Sequence, residues 1–131
     1  MDVEVELSRI IINETSDQQI IVLKELNGSR GFPIVIGIVE IFAIDRRLKG
    51  ITPPRPMTHD LLASVIEQLG AKVERIVIDD LRNHTFYAKI YLNVDGRTVK
   101  VDSRPSDAIA LCAAIKAPIF VADHVLDKTS Q

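Results

Sequence analysis

The stretch DSRPSDAIAL, at residues 102–111, decides the fold because it joins the end of a strand to a helix that opens with charges. Pro105 suits the first turn of a helix, where a backbone N–H has no partner within the helix. The segment 108–115 that follows is apolar almost all round. We therefore expect this helix to be buried on most sides by a sheet, by another helix or by a partner chain.

The same stretch is one half of an internal repeat. When Arg30 is aligned with Arg97, the helical positions match in register: Glu40 with Asp107, Ala43 with Ala110, Ile44 with Leu111, Leu48 with Ile115 and Lys49 with Lys116. Two copies are too few for a repeat array, so we expect a duplicated unit that closes one domain on a pseudo-twofold axis. Symmetry of this kind could place Glu40 and Asp107 near each other.

Each half of the repeat, at about residues 3–50 and 70–117, reads as strand, strand, strand, helix. The predicted strands cover residues 3–12, 20–26, 32–36, 72–80, 85–94, 97–101 and 119–121. Predicted helices at 38–49 and 108–115 close the two halves, and an extra helix at 59–69, capped by Thr58, lies between them. The sequence therefore predicts an α+β domain with a mixed, mostly antiparallel sheet.

Apolar spacing predicts which faces of the first two helices are buried. For the helix at 38–49 these residues are Ile38, Ile41, Phe42 and Leu48. For the helix at 59–69 they are Leu61, Leu62, Val65, Ile66 and Leu69. In the second half, Asp95-Gly96 is the kind of pair that closes a tight hairpin.

Composition narrows the classes of protein to consider. The chain has 131 residues, 47% of them hydrophobic and 26% charged, so we expect one soluble domain over residues 1–131. A net charge of -2 argues against a broad basic surface that grips nucleic acid. Neither a signal peptide nor a membrane span is recognisable, so we expect a cytoplasmic protein. Cys112 is the single cysteine and reads as a small buried hydrophobe.

Carboxylates supply one candidate for chemistry. Glu40 and Asp107 open the two repeated helices and Asp102 ends a strand, and such oxygen ligands suit Mg²⁺ or Mn²⁺. A metal there could activate water against a phosphodiester, while Arg104 holds the phosphate by a two-pronged hydrogen bond. The competing interpretation is structural: each acid complements a helix dipole, and Arg104 pairs with Asp102 or Asp107. In that case Ser103 or Ser106 caps the helix.

A histidine follows the proline-rich segment 52–57. His59 could serve as a general base, or contact a phosphate when protonated. Alternatively, Thr58 caps the helix, Asp60 suits a helix start and His59 is merely solvated. These two interpretations are about equally well supported by the sequence.

Basic and aromatic residues could contact nucleic acid. The best local basic cluster contains Arg46, Arg47, Lys49 and Arg55, although cations also favour the last turn of a helix without any ligand. Tyr87 and Tyr91 share one face of a strand, where they could stack on bases or simply cover the sheet.

Four groups of residues together resemble a known family: Ile36-Gly37 with Glu40 and Ala43, Arg55-Pro56 with the run from Thr58 to Leu62, Phe86-Tyr87-Ala88, and the run 102–111 with Pro118-Ile119. In this order and spacing, over about residues 5–127, they resemble the bifunctional nuclease domain family. The resemblance implies an α+β domain of duplicated strand-helix units, in a family named for reported DNase and RNase activity of a plant member. By position, the family's polar motif residues correspond to Glu40, His59, Asp60, Asp102, Arg104, Ser106 and Asp107.

Two hypotheses follow from the sequence. The first is a nuclease of low sequence preference for DNA and RNA, with catalytic Glu40, His59 and Asp107. In it, Mg²⁺ or Mn²⁺ is held by Glu40, Asp102 and Asp107, and the substrate by Arg55, Asp60, Arg104 and Ser106. The second is a binding or regulatory module, in monomeric or homo-oligomeric form, whose cleft takes a small anionic ligand or a protein partner.

Overall fold

Within residues 1–13 and 15–129, which the computed structural model describes, seven strands and four helices follow one another along the chain. The first half contains β1 (Asp2–Ile11), β2 (Gln18–Glu25), β3 (Gly31–Gly37) and α1 (Ile38–Leu48). Helix α2 (Thr58–Gln68) precedes the second half, which contains β4 (Ala71–Arg82), β5 (Thr85–Val94), β6 (Arg97–Ser103) and α3 (Pro105–Ile115). The last elements are β7 (Ile119–Ala122) and α4 (Asp123–Thr129). None of the helices in these ranges combines the length and apolar character needed to cross a membrane.

All seven strands belong to one sheet, in the order β3-β2-β1-β7-β4-β5-β6. Strand β7 lies in the middle, antiparallel to β1 and parallel to β4. The three-stranded meanders β1-β2-β3 and β4-β5-β6 therefore run in opposite directions on the two sides of β7, as a pseudo-twofold relation would require. The predicted α+β class, mixed sheet and intervening helix are confirmed. A common origin of the two halves stays a prediction.

Helix α3 is the central element of the core. Seven of its eleven residues are buried, including the run from Ala108 to Cys112. It packs against β4 and β5 on one side and against α1 and α2 on the other, which is why an all-round apolar helix is stable here. Burial raises the pKa of the Cys112 thiol to about 12, so this side chain behaves as a small hydrophobe.

The buried faces of α1 and α2 differ from the sequence prediction. In α1 the buried residues are Ile41 and Ile44, while Leu48 is 58% exposed because it lies in the last turn, beyond the contact with α3. Helix α2 has no buried residue, and Leu69 is 77% exposed. Of its side chains, Ala63 and Ile66 pack against the core. Of the predicted apolar stripe, Ile66 alone packs against the core, and the prediction was wrong for the four exposed residues Leu61, Leu62, Val65 and Leu69.

The starts of α2 and α3 also correct the sequence prediction. Thr58 is the first residue of α2, and the cap position belongs to Met57, whose backbone N–H donates to Asp60 Oδ2 at 3.0 Å. Arg104 occupies the cap position of α3 without a side-chain capping bond. The Ser103 hydroxyl donates instead to the Arg104 carbonyl at 2.8 Å. The hairpin at Asp95-Gly96 is as predicted, with φ values of 53° and 80°.

Helix α4 was not predicted from the sequence. It is seven residues long, which is too short to be stable without tertiary contacts. Its Leu126 is fully buried in the core. Arg30 holds its outer side, with Nη2 at 3.0 Å from Asp123 Oδ1 and Nη1 at 3.0 Å from Asp127 Oδ1. The Arg30 Nε also donates to Glu25 Oε1 at 2.6 Å, so one guanidinium joins α4 to the end of β2.

Replacing the buried leucine of α4 tests whether this helix belongs to the cooperative fold. Leu126→Ala is expected to lower the free energy of unfolding by about 2–5 kcal/mol, through lost burial and the cavity left behind. Leu69→Ala, the same change at an exposed helix end, is expected to stay within about 0.5 kcal/mol. Denaturant unfolding followed by circular dichroism measures both. Equal effects of the two substitutions would contradict the packing of α4.

Candidate functional site

A cavity of about 240 Å³ lies where α1, the start of α2 and the start of α3 meet, and we call it the helix cavity. Helix α1 contributes residues of one face, which lie one and two helical turns apart. That face consists of Val39, Glu40, Ala43, Arg46 and Arg47. The segment before α2 and the first turns of α2 and α3 complete the lining with Ile51, Pro53, Met57, Thr58, His59, Asp60, Arg104, Asp107 and Ala110.

Arg104 joins the first turns of α1 and α3 across the helix cavity. Its Nε donates to Asp107 Oδ2 at 2.9 Å, and its Nη2 donates to Asp107 Oδ1 at 3.2 Å and to Glu40 Oε1 at 2.9 Å. These two carboxylates raise the pKa of the Arg104 guanidinium. The predicted proximity of Glu40 and Asp107 is therefore observed, and a cation lies between them.

Asp107 also contacts His59, whose Nε2 is 3.1 Å from Asp107 Oδ1. Burial raises the pKa of Asp107, whereas the hydrogen bonds from Arg104 and His59 lower it. The lowering effects prevail, so the net pKa lies below the usual value. The carboxylate is therefore ionised at neutral pH and can only accept hydrogen bonds. It follows that the neutral His59 ring carries its proton on Nε2 and a lone pair on Nδ1. A histidine held in this way can act as a general base.

Asp60 fixes the start of α2 against α1. Its Oδ1 accepts a hydrogen bond from Arg47 Nη2, and its Oδ2 accepts the backbone N–H of Met57 at 3.0 Å. Burial raises the pKa of Asp60, whereas the hydrogen bonds from Arg47 and Met57 lower it to a net value below the usual one. Both oxygens are thus engaged, so Asp60 positions the neighbouring His59.

Arg46 lines the cavity, although the sequence analysis did not select it for the site. It was recognised only as part of a basic cluster. Its guanidinium donates to the Met57 sulfur at 3.2 Å, which is a weak acceptor. Over the described ranges 1–13 and 15–129, no carboxylate is paired with it. Its spacing of three residues after Ala43 on the cavity-facing stripe of α1 is the signal that could have identified it.

The predicted metal ligands do not fit a shared metal site. Glu40 and Asp107 both face the cavity, but each already binds Arg104, which occupies the space between them. The Asp102 carboxylate lies outside the helix cavity, is 80% exposed and has Oδ1 3.4 Å from Lys89 Nζ. Among the residues that the structure describes, no group of three or more His, Cys, Asp or Glu side chains is arranged to hold an ion. No step of the chemistry proposed below therefore passes through a metal.

Two other predicted site residues lie away from the cavity. Ser106 is only 7% exposed and borders a separate groove beside β3. Arg55 is exposed on the segment before α2 and is not among the residues that line the cavity. The structure thus brings Glu40, His59, Asp60, Arg104 and Asp107 together around the helix cavity. Asp102 lies in an adjoining pocket that His59, Arg104 and Asp107 also line, and Ser106 lies in a groove that Arg104 also borders.

Gly37 leaves room for the Glu40 carboxylate. A Cβ atom at Gly37 would lie 2.5 Å from Glu40 Oε2, and the three nearest heavy atoms all belong to Glu40. The φ angle of Gly37 is -74°, which alanine can adopt. The glycine is therefore needed for the neighbouring side chain, and the backbone conformation does not require it.

A double-mutant cycle tests this contact. Gly37→Ala is expected to lower the free energy of unfolding by up to about 1 kcal/mol, because the methyl group displaces the Glu40 carboxylate from Arg104. In a Glu40→Ala background the same change is expected to be neutral, or stabilising by about 0.4–1 kcal/mol through the unfolded chain. Denaturant unfolding of the four proteins measures the coupling. If Gly37→Ala lowers the unfolding free energy equally in the wild type and in Glu40→Ala, the proposed contact is contradicted.

The low pKa of Asp107 predicts a pH dependence of stability. A carboxyl group with a lowered pKa in the folded state stabilises the protein above its unfolded pKa of about 3.9, and this stabilisation is lost as pH falls through the folded value. Wild-type unfolding free energy should therefore fall more steeply below about pH 4 than that of Asp107→Asn. Asp95→Asn, the same change at an exposed turn, serves as the control. If the unfolding free energies of wild type and Asp107→Asn fall with the same slope below about pH 4, the ion-pair assignment is contradicted.

Comparison with known proteins agrees with the resemblance seen in the sequence. The family model that describes the bifunctional nuclease domain matches residues 21–131 of this sequence. An uncharacterized protein of Mycobacterium tuberculosis is 39% identical over 123 residues, which are 94% of this chain and 73% of that protein. Bifunctional nuclease 1 of Oryza sativa subsp. japonica is 28% identical over 114 residues, which are 84% of this chain and 34% of that protein. The chain belongs to the bifunctional nuclease domain family.

Proposed function

We propose that the protein is a phosphodiesterase that cleaves DNA and RNA with low sequence preference in the helix cavity. The observation that carries this proposal is the His59–Asp107 pair, at 3.1 Å, in a cavity that the Arg46 guanidinium also lines. Within the described part of the chain, that guanidinium has no carboxylate partner. Membership of the bifunctional nuclease domain family supports it, as do the names of the rice relatives. A histidine with a fixed tautomer beside an available cation is suited to attack on a phosphodiester.

The proton transfers follow from the orientation of His59. His59 Nδ1 accepts a proton from water as the water oxygen forms a bond to phosphorus. The bond from phosphorus to the leaving oxygen breaks, and the imidazolium then gives its proton to that oxygen. Asp107 stabilises the imidazolium and keeps the ring in place. Because water is the nucleophile, a ribose 2′-hydroxyl is not required, so DNA and RNA are both substrates.

The two arginines have different roles in this proposal. Arg46 binds the phosphate, since a guanidinium presents paired donors that match phosphate oxygens. Arg104 is a positioning residue because its donors are already directed at Glu40 and Asp107. Glu40 acts through Arg104, and Asp60 through the start of α2. Among these charged and polar residues, His59 and Arg46 then contact the phosphate that is cleaved.

Cleavage kinetics of purified variants test the proposal. His59→Ala is expected to lower kcat by a factor of about 10²–10⁴, which is the usual contribution of a general acid–base group. Arg46→Ala is expected to lower kcat/KM at least about tenfold through lost phosphate binding. Lys49→Ala, directly after the same helix but exposed and paired with Asp45, is the control and should stay within about twofold. Time courses on single-stranded DNA and on RNA supply these values.

Identical purification of every variant separates this activity from a contaminating nuclease. Equal cleavage by wild type and His59→Ala would contradict the assignment of the site. The same reactions in EDTA, and with Mg²⁺ or Mn²⁺ added, test the metal prediction from the sequence. Because Arg104 already donates hydrogen bonds to both Glu40 and Asp107, we expect cleavage to persist in EDTA. Loss in EDTA with recovery in Mg²⁺ would contradict the metal-free chemistry.

One observation favours a second candidate function. Glu40, Arg104 and Asp107 form a satisfied ion-pair cluster, as do Arg47 and Asp60, and such clusters also serve purely structural roles. The same cavity would then bind a small anionic ligand at Arg46 without cleaving it. Thermal stabilisation by a nucleotide, with no product formed over a long incubation, would favour this function over the nuclease.

A further inference from the structure

The polar groups of the helix cavity form only part of its wall. The rest is apolar. Besides Met57, whose sulfur accepts a hydrogen bond from Arg46, it consists of five residues that we call the aliphatic wall: Val39, Ala43, Ile51, Pro53 and Ala110. Val39 is 66% exposed and Ile51 is 50% exposed, although both are apolar. Each therefore offers apolar surface that a ligand in the cavity would remove from water.

Small residues at matching positions of the two repeated helices create this space. Ala43 of α1 lies one turn after Glu40, and Ala110 of α3 lies one turn after Asp107. Side chains longer than methyl at these positions would fill the cavity. The resulting cavity, of about 240 Å³, is lined by both helices.

The aliphatic wall adjoins the phosphate-binding side of the cavity. Val39, Ala43 and Arg46 share one face of α1, and the helical rise places Arg46 about 10 Å along the axis from Val39. A ligand that spans this stripe needs an apolar part next to an anionic part. Within a nucleic acid, the base and the phosphate of one nucleotide have this relation.

We propose that the aliphatic wall is a subsite for one unpaired nucleobase, so that the preferred substrate is single-stranded nucleic acid. This inference rests on the proposed function, which assigns the phosphate to Arg46. In a duplex the base is stacked and paired, and bringing it into the cavity costs the free energy of extruding it. Aliphatic side chains offer no directional hydrogen bonds to a base, so the subsite accepts different bases with little discrimination.

Binding of graded probes to the wild-type protein tests the subsite separately from cleavage. The probes are inorganic phosphate, ribose 5-phosphate and uridine 5′-monophosphate, each measured by isothermal titration calorimetry. We expect the nucleotide to bind at least about tenfold more tightly than ribose 5-phosphate, since only the nucleotide covers the aliphatic wall. Val39→Ser combined with Ile51→Ser is expected to remove that difference and leave ribose 5-phosphate binding unchanged. Val65→Ser replaces an exposed valine of α2 outside the cavity. It should alter neither the binding of the nucleotide nor the binding of ribose 5-phosphate.

Cleavage provides the second arm of the test. A single strand is expected to be cut at least about tenfold faster than the duplex of the same sequence, and the Val39→Ser/Ile51→Ser variant should narrow this ratio. If ribose 5-phosphate and the nucleotide bind equally and the duplex is cut as fast as the single strand, the subsite is wrong while the proposed nuclease survives. If no probe binds and no strand is cut, both proposals are wrong. Nucleotide-selective binding without cleavage would keep the subsite and overturn the nuclease.

Discussion

The Arg104 guanidinium is the constraint on which the candidate site depends. It joins Glu40, 64 residues earlier in the chain, to Asp107 in its own helix. The two carboxylates lie at the positive ends of α1 and α3, where helix dipoles favour them individually, but they would repel each other without a cation between them. Arg104 donates to both oxygens of Asp107, and His59 Nε2 contacts Oδ1 of the same carboxylate. One side chain thereby fixes the relative positions of residues from three helices.

The cavity divides its charges between positioning and binding. Glu40, Arg104 and Asp107 neutralise one another in part, and Asp60 neutralises Arg47, so these ion pairs mainly hold the helices together. Arg46 has no carboxylate partner among the described residues and faces the same space as His59. The fold thus offers one cation and one oriented imidazole to a ligand. In the proposed function, the chemistry therefore depends on the orientation of His59 more than on the total charge.

Much of the fold could be predicted from local signals, because periodicity, the Asp95-Gly96 turn and Pro105 act over a few residues. The repeat alignment also brought Glu40 and Asp107 into one predicted site. It could not show that Arg104 would occupy the space between them, since that depends on side-chain geometry across 64 residues. Helix α4 was missed because it depends on Arg30, which is 97 residues from Asp127. The apolar spacing of residues 59–69 predicted the helix α2 but not the exposure of its side chains, because burial depends on which elements pack against a helix.

The tautomer of His59 tests the central claim most directly, because the orientation of the imidazole by Asp107 underlies the proposed chemistry. The measurement is a long-range proton–nitrogen NMR spectrum of the labelled protein over a pH series, read where the spectrum itself shows the neutral imidazole. The account predicts a His59 ring protonated on Nε2 in the wild type, and loss of that preference in Asp107→Asn. A wild-type ring protonated on Nδ1, or one unaffected by Asp107→Asn, would contradict it.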